Sequence, residues 1–166
     1  KDIRFASLRY FNAAGYDIEG EINGLEREPN NLIPIVLETI MGKRKEVVVF
    51  GTDYDTNDGS CIRDYIHVND LAEAHLKALD YLVSQNQNLV VNLGTSKGLS
   101  VLEVLRIARK VSGTDFKFKL GPRRAGDPAV VLAKASLAKK LLHWTPKNSN
   151  ATTLLETSLR AYRKNS

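Results

Sequence analysis

Apolar runs of strand length alternate along this chain with segments whose apolar residues recur at helical spacing, and that alternation confines it to a mixed α/β fold. Residues 3–11 (IRFASLRYF) are rich in strand-favouring residues and read as a buried strand. Val47 to Phe50, Cys61 to Val68 and Leu89 to Leu93 read as further strands. Phe116, Phe118 and Leu120 alternate with Lys117 and Lys119, the pattern of a half-exposed strand. A helix is expected from Asn31-Leu32-Ile33-Pro34 to Met41, with Pro34 in its first turn and Gly42 as its stop. A second starts at Asp70, with Glu73 at capping-box spacing, and places Leu71, Ala74, Ala78, Leu79 and Leu82 on one face. Ser100 and Glu103 cap a third, which runs to Val111 before Gly113. Shorter helices fall near 136–143 and 152–163. Residues 15–31 are a long polar loop with three glycines, the kind that is functional or mobile.

With 166 residues the chain suits one domain. The single cysteine, Cys61, excludes an internal disulfide and fits a reducing, cytoplasmic setting; it reads as a small buried side chain. No apolar run approaches the ~18 residues of a membrane span, so no membrane partner is expected. Lys and Arg number 24 against 19 acids, but the basic residues are scattered, as in Lys43-Arg44-Lys45, and no nucleic-acid partner is expected. The chain opens on Lys1 and not on Met, and it reads as a piece of a longer protein.

The missing motifs narrow the chemistry. There is no G-x-G-x-x-G and no G-x-x-x-x-G-K-[ST], hence no glycine cradle for phosphates. None of the six tyrosines is followed four residues later by lysine, so the Tyr-x-x-x-Lys proton-transfer pair is absent. His67, His75 and His143 lack zinc-ligand spacing, and His67 and His75 read as structural. No catalytic residue and no metal site is assigned. The residues describe a chain that binds something.

Two segments suit an anion. One is Arg63-Asp64-Tyr65-Ile66-His67, and the other is Pro122-Arg123-Arg124-Ala125-Gly126-Asp127-Pro128. An arginine fork bonds phosphate oxygens in two places and keeps its charge at physiological pH, so two arginines on separate loops can clamp a diphosphate. Asp127 can accept from two hydroxyls, as a ribose diol presents, and Asn12, Asn30 and Asn31 add amides. The competing reading pairs Arg63 with Asp64 or Asp70 and leaves Arg123 and Arg124 as solvated loop charges.

Leu8-Arg9-Tyr10-Phe11-Asn12 with Gly15, Asn30-Asn31-Leu32-Ile33-Pro34, residues 58–68 (DGSCIRDYIHV), Asn92-Leu93-Gly94, Arg123-Arg124-Ala125-Gly126-Asp127 and Trp144-Thr145-Pro146 occur in that order. Together they resemble the carboxyl-terminal half of the UDP-glucose 4-epimerases, also called UDP-galactose 4-epimerases. These are extended short-chain dehydrogenases/reductases of the NAD-dependent epimerase/dehydratase group. R-D-Y-I-H-V followed by R-R-x-G-D carries the resemblance, which covers nearly the whole chain.

The resemblance implies the substrate-binding part of a Rossmann-type fold, with some strands completing a nucleotide-binding sheet whose remainder is absent. Residues 1–166 would then be a single UDP-sugar-binding region, with the NAD-binding half and the catalytic Tyr and Lys elsewhere. The complete enzyme would interconvert UDP-galactose and UDP-glucose through a 4-keto intermediate on bound NAD, as a cytoplasmic homodimer, and UDP-N-acetylhexosamines are further candidate substrates. Asn12 would contact the sugar nucleotide, and Phe11 the nicotinamide end of NAD. Asn31 and Leu32 would bind the nucleotide, and Val48, Val49 and Phe50 would border the uracil. Arg63 and Arg124 would hold the diphosphate, with Ala125 and Gly126 beside them, and Asp127 the ribose. Val131 aligns with the position that gates the sugar pocket, where some relatives carry tyrosine. Ala13 replaces a common proline, and Lys134 an acid or small polar residue. A nucleotide-sugar dehydratase or decarboxylase is the alternative within the superfamily; a non-catalytic sugar-nucleotide-binding module is the alternative outside it.

Overall fold

The computed structural model describes residues 3–166, and Lys1 and Asp2 lie outside the described residues. Strand β1 (Ala6–Arg9) is followed by β2 (Asn12–Ala14), helix α1 (Leu32–Ile40) and β3 (Val47–Phe50). Next come β4 (Ile62–Arg63), β5 (Tyr65–His67), α2 (Val68–Gln85), β6 (Leu89–Asn92), β7 (Leu99–Ser100) and α3 (Val101–Ser112). The chain ends with β8 (Phe118–Gly121), β9 (Val130–Val131), α4 (Ser136–Leu142) and α5 (Ala151–Lys164). Strands and helices alternate, as the apolar pattern predicts.

The strands join in small sheets. β1 pairs with β6, β2 with β5 and β3 with β8, all parallel. β4 pairs antiparallel with β7 and parallel with β9. The expected strand from Cys61 to Val68 is therefore two strands in different sheets, divided at Asp64. Apolar alternation marks a segment as extended but carries no information about which neighbour each half pairs with.

Two cores hold these sheets. The first gathers Ile33, Val36 and Leu37 of α1, Val47 and Val49 of β3, Val104, Leu105 and Ala108 of α3, and Leu154, Leu155, Leu159 and Tyr162 of α5. The second packs Leu71, Ala74 and Ala78 of α2 and Ala138 and Leu142 of α4, with Trp144, against Leu89 and Val91 of β6. The buried strand expected over residues 3–11 is confined to β1: Ile3, Phe5, Tyr10 and Phe11 lie beyond its ends and are exposed, while Ala6 and Leu8 pack on the second core with α2 and α4. Leu79 is likewise exposed, off the face that α2 buries, and so is Leu120, which breaks the half-buried alternation expected of β8.

The caps follow local chemistry unevenly. Ser100 Oγ accepts from Glu103 N at 3.0 Å, as the capping box predicts, and Gly113 closes α3 at φ +68°. α2 does not start at Asp70. It starts at Val68, with the His67 ring accepting from Asn69 N at 3.1 Å. Asp70 lies buried in the first turn, where its carboxylate accepts from Lys147 N, Asn148 N and Asn148 Nδ2 and from Ser149 Oγ at 2.5 Å. It secures the segment between α4 and α5, and Trp144 Nε1 donates to its carbonyl at 3.0 Å.

The loop 15–31 has neither helix nor strand but is tied down. Gly15 takes φ +80°, and a Cβ there would lie 2.4 Å from the His67 ring, so the position admits only glycine. His67 Nε2 lies 3.2 Å from Thr157 Oγ1, which also accepts from Tyr16 N at 3.2 Å. Since Nδ1 accepts from Asn69, Nε2 carries the proton and donates. One buried imidazole thus joins the loop, α2 and α5.

Candidate functional site

A cavity of about 400 Å3 opens where α1 begins, beside β2 and β3. Its wall brings together Asn12, Asn31, Leu32, Val48, Phe50, Arg63, Arg124 and Asp127, residues contributed by five separate segments of the chain. Val49 belongs to the same strand but points into the first core and is fully buried, so its side chain does not face the cavity. Phe11, Ala125, Gly126 and Val131 do not line it; Phe11 is 56% exposed in the turn between β1 and β2. Val131 sits behind Arg63, paired with it in the β4–β9 register.

The local structure explains each placement. Asn31 caps α1 through its backbone, with its carbonyl accepting from Ile35 N at 3.1 Å, and its side chain makes no cap bond. Its amide is therefore free for a ligand beside the first-turn N–H groups, which favour negative charge. Asn12 Nδ2 donates to Asp64 O at 3.1 Å, fixing that amide at the cavity wall. Arg63 Nη1 donates to Ile62 O at 2.8 Å, and Nη2 is ion-paired with Asp127. The suggested pairing of Arg63 with Asp64 or Asp70 is not formed, since those two carboxylates are taken up by other partners.

The two adjacent arginines part ways. Arg123 is an exposed loop charge, as the competing reading has it, but it is paired: its guanidinium donates to Asp53 Oδ1 at 2.7 Å and lies 4.2 Å from the Tyr54 ring centroid. This bond is the main reason the Asp53 carboxyl stays below its ordinary pKa. Arg124 stacks on Phe50 at 4.0 Å and makes no ion pair among the described residues, which leaves a cation at the cavity without a carboxylate partner.

Sequence reading missed Arg44 and Glu46, which also line the cavity. Arg44 pairs with Glu38 and donates to Pro29 O at 3.1 Å, tying the segment before Asn31 to α1. Glu46 is held by Lys119 at 2.6 Å. Their spacing from the recognised motifs gave no signal, because these bonds form only after folding. Cys61 and Tyr65 are buried and both line the cavity; burial pushes both pKa values up, so thiol and phenol are neutral at pH 7 and neither is an anionic nucleophile.

A larger cavity of about 620 Å3 lies on the other side of the α1 start, against the loop 15–31. Asp17 and Glu26 line it and no Lys or Arg does, so it does not suit an anion. Among the described residues no cluster of three or more His, Cys, Asp or Glu could hold a metal ion, and no helix is long and apolar enough to cross a membrane.

The profile of the NAD dependent epimerase/dehydratase family matches residues 1–94. A UDP-glucose 4-epimerase of Halalkalibacterium halodurans is 46% identical over 154 residues, which make up 93% of this chain and 46% of the relative. Among solved structures, the UDP-glucose-4-epimerase of Stenotrophomonas maltophila, with bound NAD and formylated UDP-arabinopyranose, superposes with a TM-score of 0.94. It is 40% identical, and the match covers 99% of this chain and 49% of that one. The UDP-Glc/GlcNAc 4-epimerase of Campylobacter jejuni superposes with a TM-score of 0.82 at 42% identity, covering 97% of this chain and 49% of that one. The chain spans about half the length of the curated relatives it matches.

Proposed function

The chain belongs to the NAD dependent epimerase/dehydratase family, and on that premise we propose that residues 1–166 form one UDP-sugar-binding region of a UDP-glucose 4-epimerase. The observation that carries this reading is the convergence of Asn12, Asn31, Leu32, Val48, Phe50, Arg63, Arg124 and Asp127 on one cavity. In this reading the uracil lies along β3 at Val48 and Phe50, near the start of α1. Arg124 and Arg63 neutralise the diphosphate, and Asp127 exchanges its contact with Arg63 for the ribose hydroxyls. Asn12 meets the hexose.

NAD fits this chain only at its margin. No glycine-rich turn links a strand to a helix here, and the one group offered to a nicotinamide is the exposed ring of Phe11, next to Asn12. When bound in the complete enzyme, NAD supplies hydride removal from C4 of the hexose and its return to the other face. The residues of this chain hold the nucleotide while the sugar turns. Phe11 and the bare face of the β1–β6 sheet fit a sheet that continues in an NAD-binding part. A reducing, cytoplasmic setting agrees with the free, buried Cys61.

The substrate range includes UDP-N-acetylhexosamines in this reading. What supports this is the 42% identical relative from Campylobacter jejuni, a UDP-Glc/GlcNAc 4-epimerase; Val131, the expected gate, does not line the cavity and adds no support. Calorimetric titration tests the core of the proposal: UDP should bind the wild type, and Arg124→Ala should bind it more weakly. Equal affinities would reject the assignment of this cavity to a nucleotide diphosphate.

A further inference from the structure

Behind the cavity stands a buried carboxylate that does not line it. Asp64 is 2% exposed and divides β4 from β5, so the chain changes sheets at this one residue. Its main chain serves the cavity side. The N–H donates to Val131 O at 3.1 Å, and the carbonyl accepts from Asn12 Nδ2 at 3.1 Å. Its side chain faces the other way. Oδ1 accepts from Thr95 N at 2.9 Å and shares the single Thr95 hydroxyl proton, at 2.7 Å from Oγ1, with Lys97 O, and Oδ2 accepts from Ser96 N and Ala133 N, both at 3.1 Å.

Three main-chain N–H groups, divided between the two oxygens, and the shared Thr95 hydroxyl fix the position and the plane of the carboxylate. The loop that supplies three of them closes tightly: a Cβ on Gly94 would lie 2.6 Å from Asp64 Oδ2 and 2.5 Å from Ala133 Cβ. Ser96 holds φ +57° in the same loop, secured by donation from its hydroxyl to Ala133 O at 2.9 Å. An asparagine at 64 would turn an NH2 group against one of the donor pairs and leave it unpaired.

Arg63 precedes this anchor directly, and Asn12 hangs on its carbonyl. From this geometry we infer that Asp64 is a positioning residue whose carboxylate fixes Arg63 and Asn12 at the cavity wall and so sets the affinity for the diphosphate of a nucleotide sugar. The inference rests on the UDP-sugar reading above. It assigns the second residue of the Arg-Asp-Tyr motif a role distinct from that of the first: Arg63 meets the ligand, and Asp64 holds Arg63 from behind.

The test is a double-mutant cycle read by UDP titration of the wild type, Asp64→Asn, Arg63→Ala and the double variant, each checked for a cooperative melt above the titration temperature. Asp64→Asn is expected to raise the Kd for UDP about tenfold, but less than about twofold when Arg63 is already alanine, because the effect passes through that side chain. Losses that multiply in the double variant would overturn the inference, since Asp64 would then act on the fold alone. Should Asp64→Asn fail to fold, Thr95→Val removes one donor from Oδ1; it is expected to raise the Kd about threefold with the same loss of effect in the Arg63→Ala background. A wild type that binds UDP, weakened by Arg63→Ala but untouched by Asp64→Asn and Thr95→Val, overturns the Asp64 role only. A wild type that does not bind UDP overturns the reading beneath it as well.

Discussion

Around α1, α3 and α5 the apolar side chains are covered from several directions, whereas the β1–β6 sheet is covered on one face only. Neighbours on β6 show the contrast within one residue: Val91 is 1% exposed against α2 and α4, and Val90 is 45% exposed on the other face. The cavity with Arg63 and Arg124 lies against the finished core, so its wall is built from elements that this sequence packs by itself. Beside it, directly before Asn12, the Phe11 ring is exposed. The nucleotide side of the proposed site is thus lined by this chain, and the uncovered face of the β1–β6 sheet presents Ser7, Arg9, Val90 and Asn92.

The largest effect should come from the covered face. Trp144→Ala removes a buried indole that also donates to Asp70, and it should cost about 3–5 kcal/mol in urea unfolding. A loss under 1 kcal/mol would mean that the second core is not the support described here. In UDP titrations, Arg124→Ala should cost about 1.5–3 kcal/mol of binding, the range for a charge-assisted bond. Arg123→Ala should cost less than about 1 kcal/mol, because its exposed pairing with Asp53 holds a loop and does not reach the ligand; equal losses would merge two roles that the structure separates.

Val91→Ala should lower stability by roughly 1.5 kcal/mol through two lost methyl groups, and Val90→Ala by no more than about 0.5 kcal/mol. Equal costs would show that the bare face is covered in solution. The smallest effect concerns pH. Burial pulls the His67 pKa below its ordinary value, against the opposing charges of Asp70 and Asp17. The folded state then binds fewer protons than the unfolded one once pH falls below about 6.5, so stability is full above that pH and declines from there toward the folded pKa. Melting curves between about pH 8 and pH 5 should show this decline, and His67→Gln should flatten it.

Local chemistry was legible in the sequence, and distant partners were not. The Ser100–Glu103 cap depends on residues three apart and could be read directly. Asp70 has the right spacing for a cap, yet its partners at 147–149 lie on a later segment, and they outnumber what a helix end offers. The break at Asp64 was hidden for the same reason: its four donors sit at 95, 96 and 133. Eight of the twelve residues that the motif resemblance assigned to substrate line the cavity, Arg63, Arg124 and Asp127 being marked by residue type. Arg44 and Glu46 were missed, since nothing in Lys43-Arg44-Lys45-Glu46 distinguishes them from surface charges. Strand type could be read within residues 3–11, where β1 covers only Ala6–Arg9, but burial depends on what packs against a face, which no local pattern encodes.

The central claim is that the cavity beside α1 and β3 takes a uridine diphosphate, and a crystal structure of the protein with UDP tests it most directly. The account predicts the diphosphate between Arg63 and Arg124, the ribose hydroxyls on Asp127 in place of its contact with Arg63, and the uracil against Val48 and Phe50. UDP seated in the cavity lined by Asp17 and Glu26, or an Arg63–Asp127 pair left intact with UDP bound elsewhere, would contradict it.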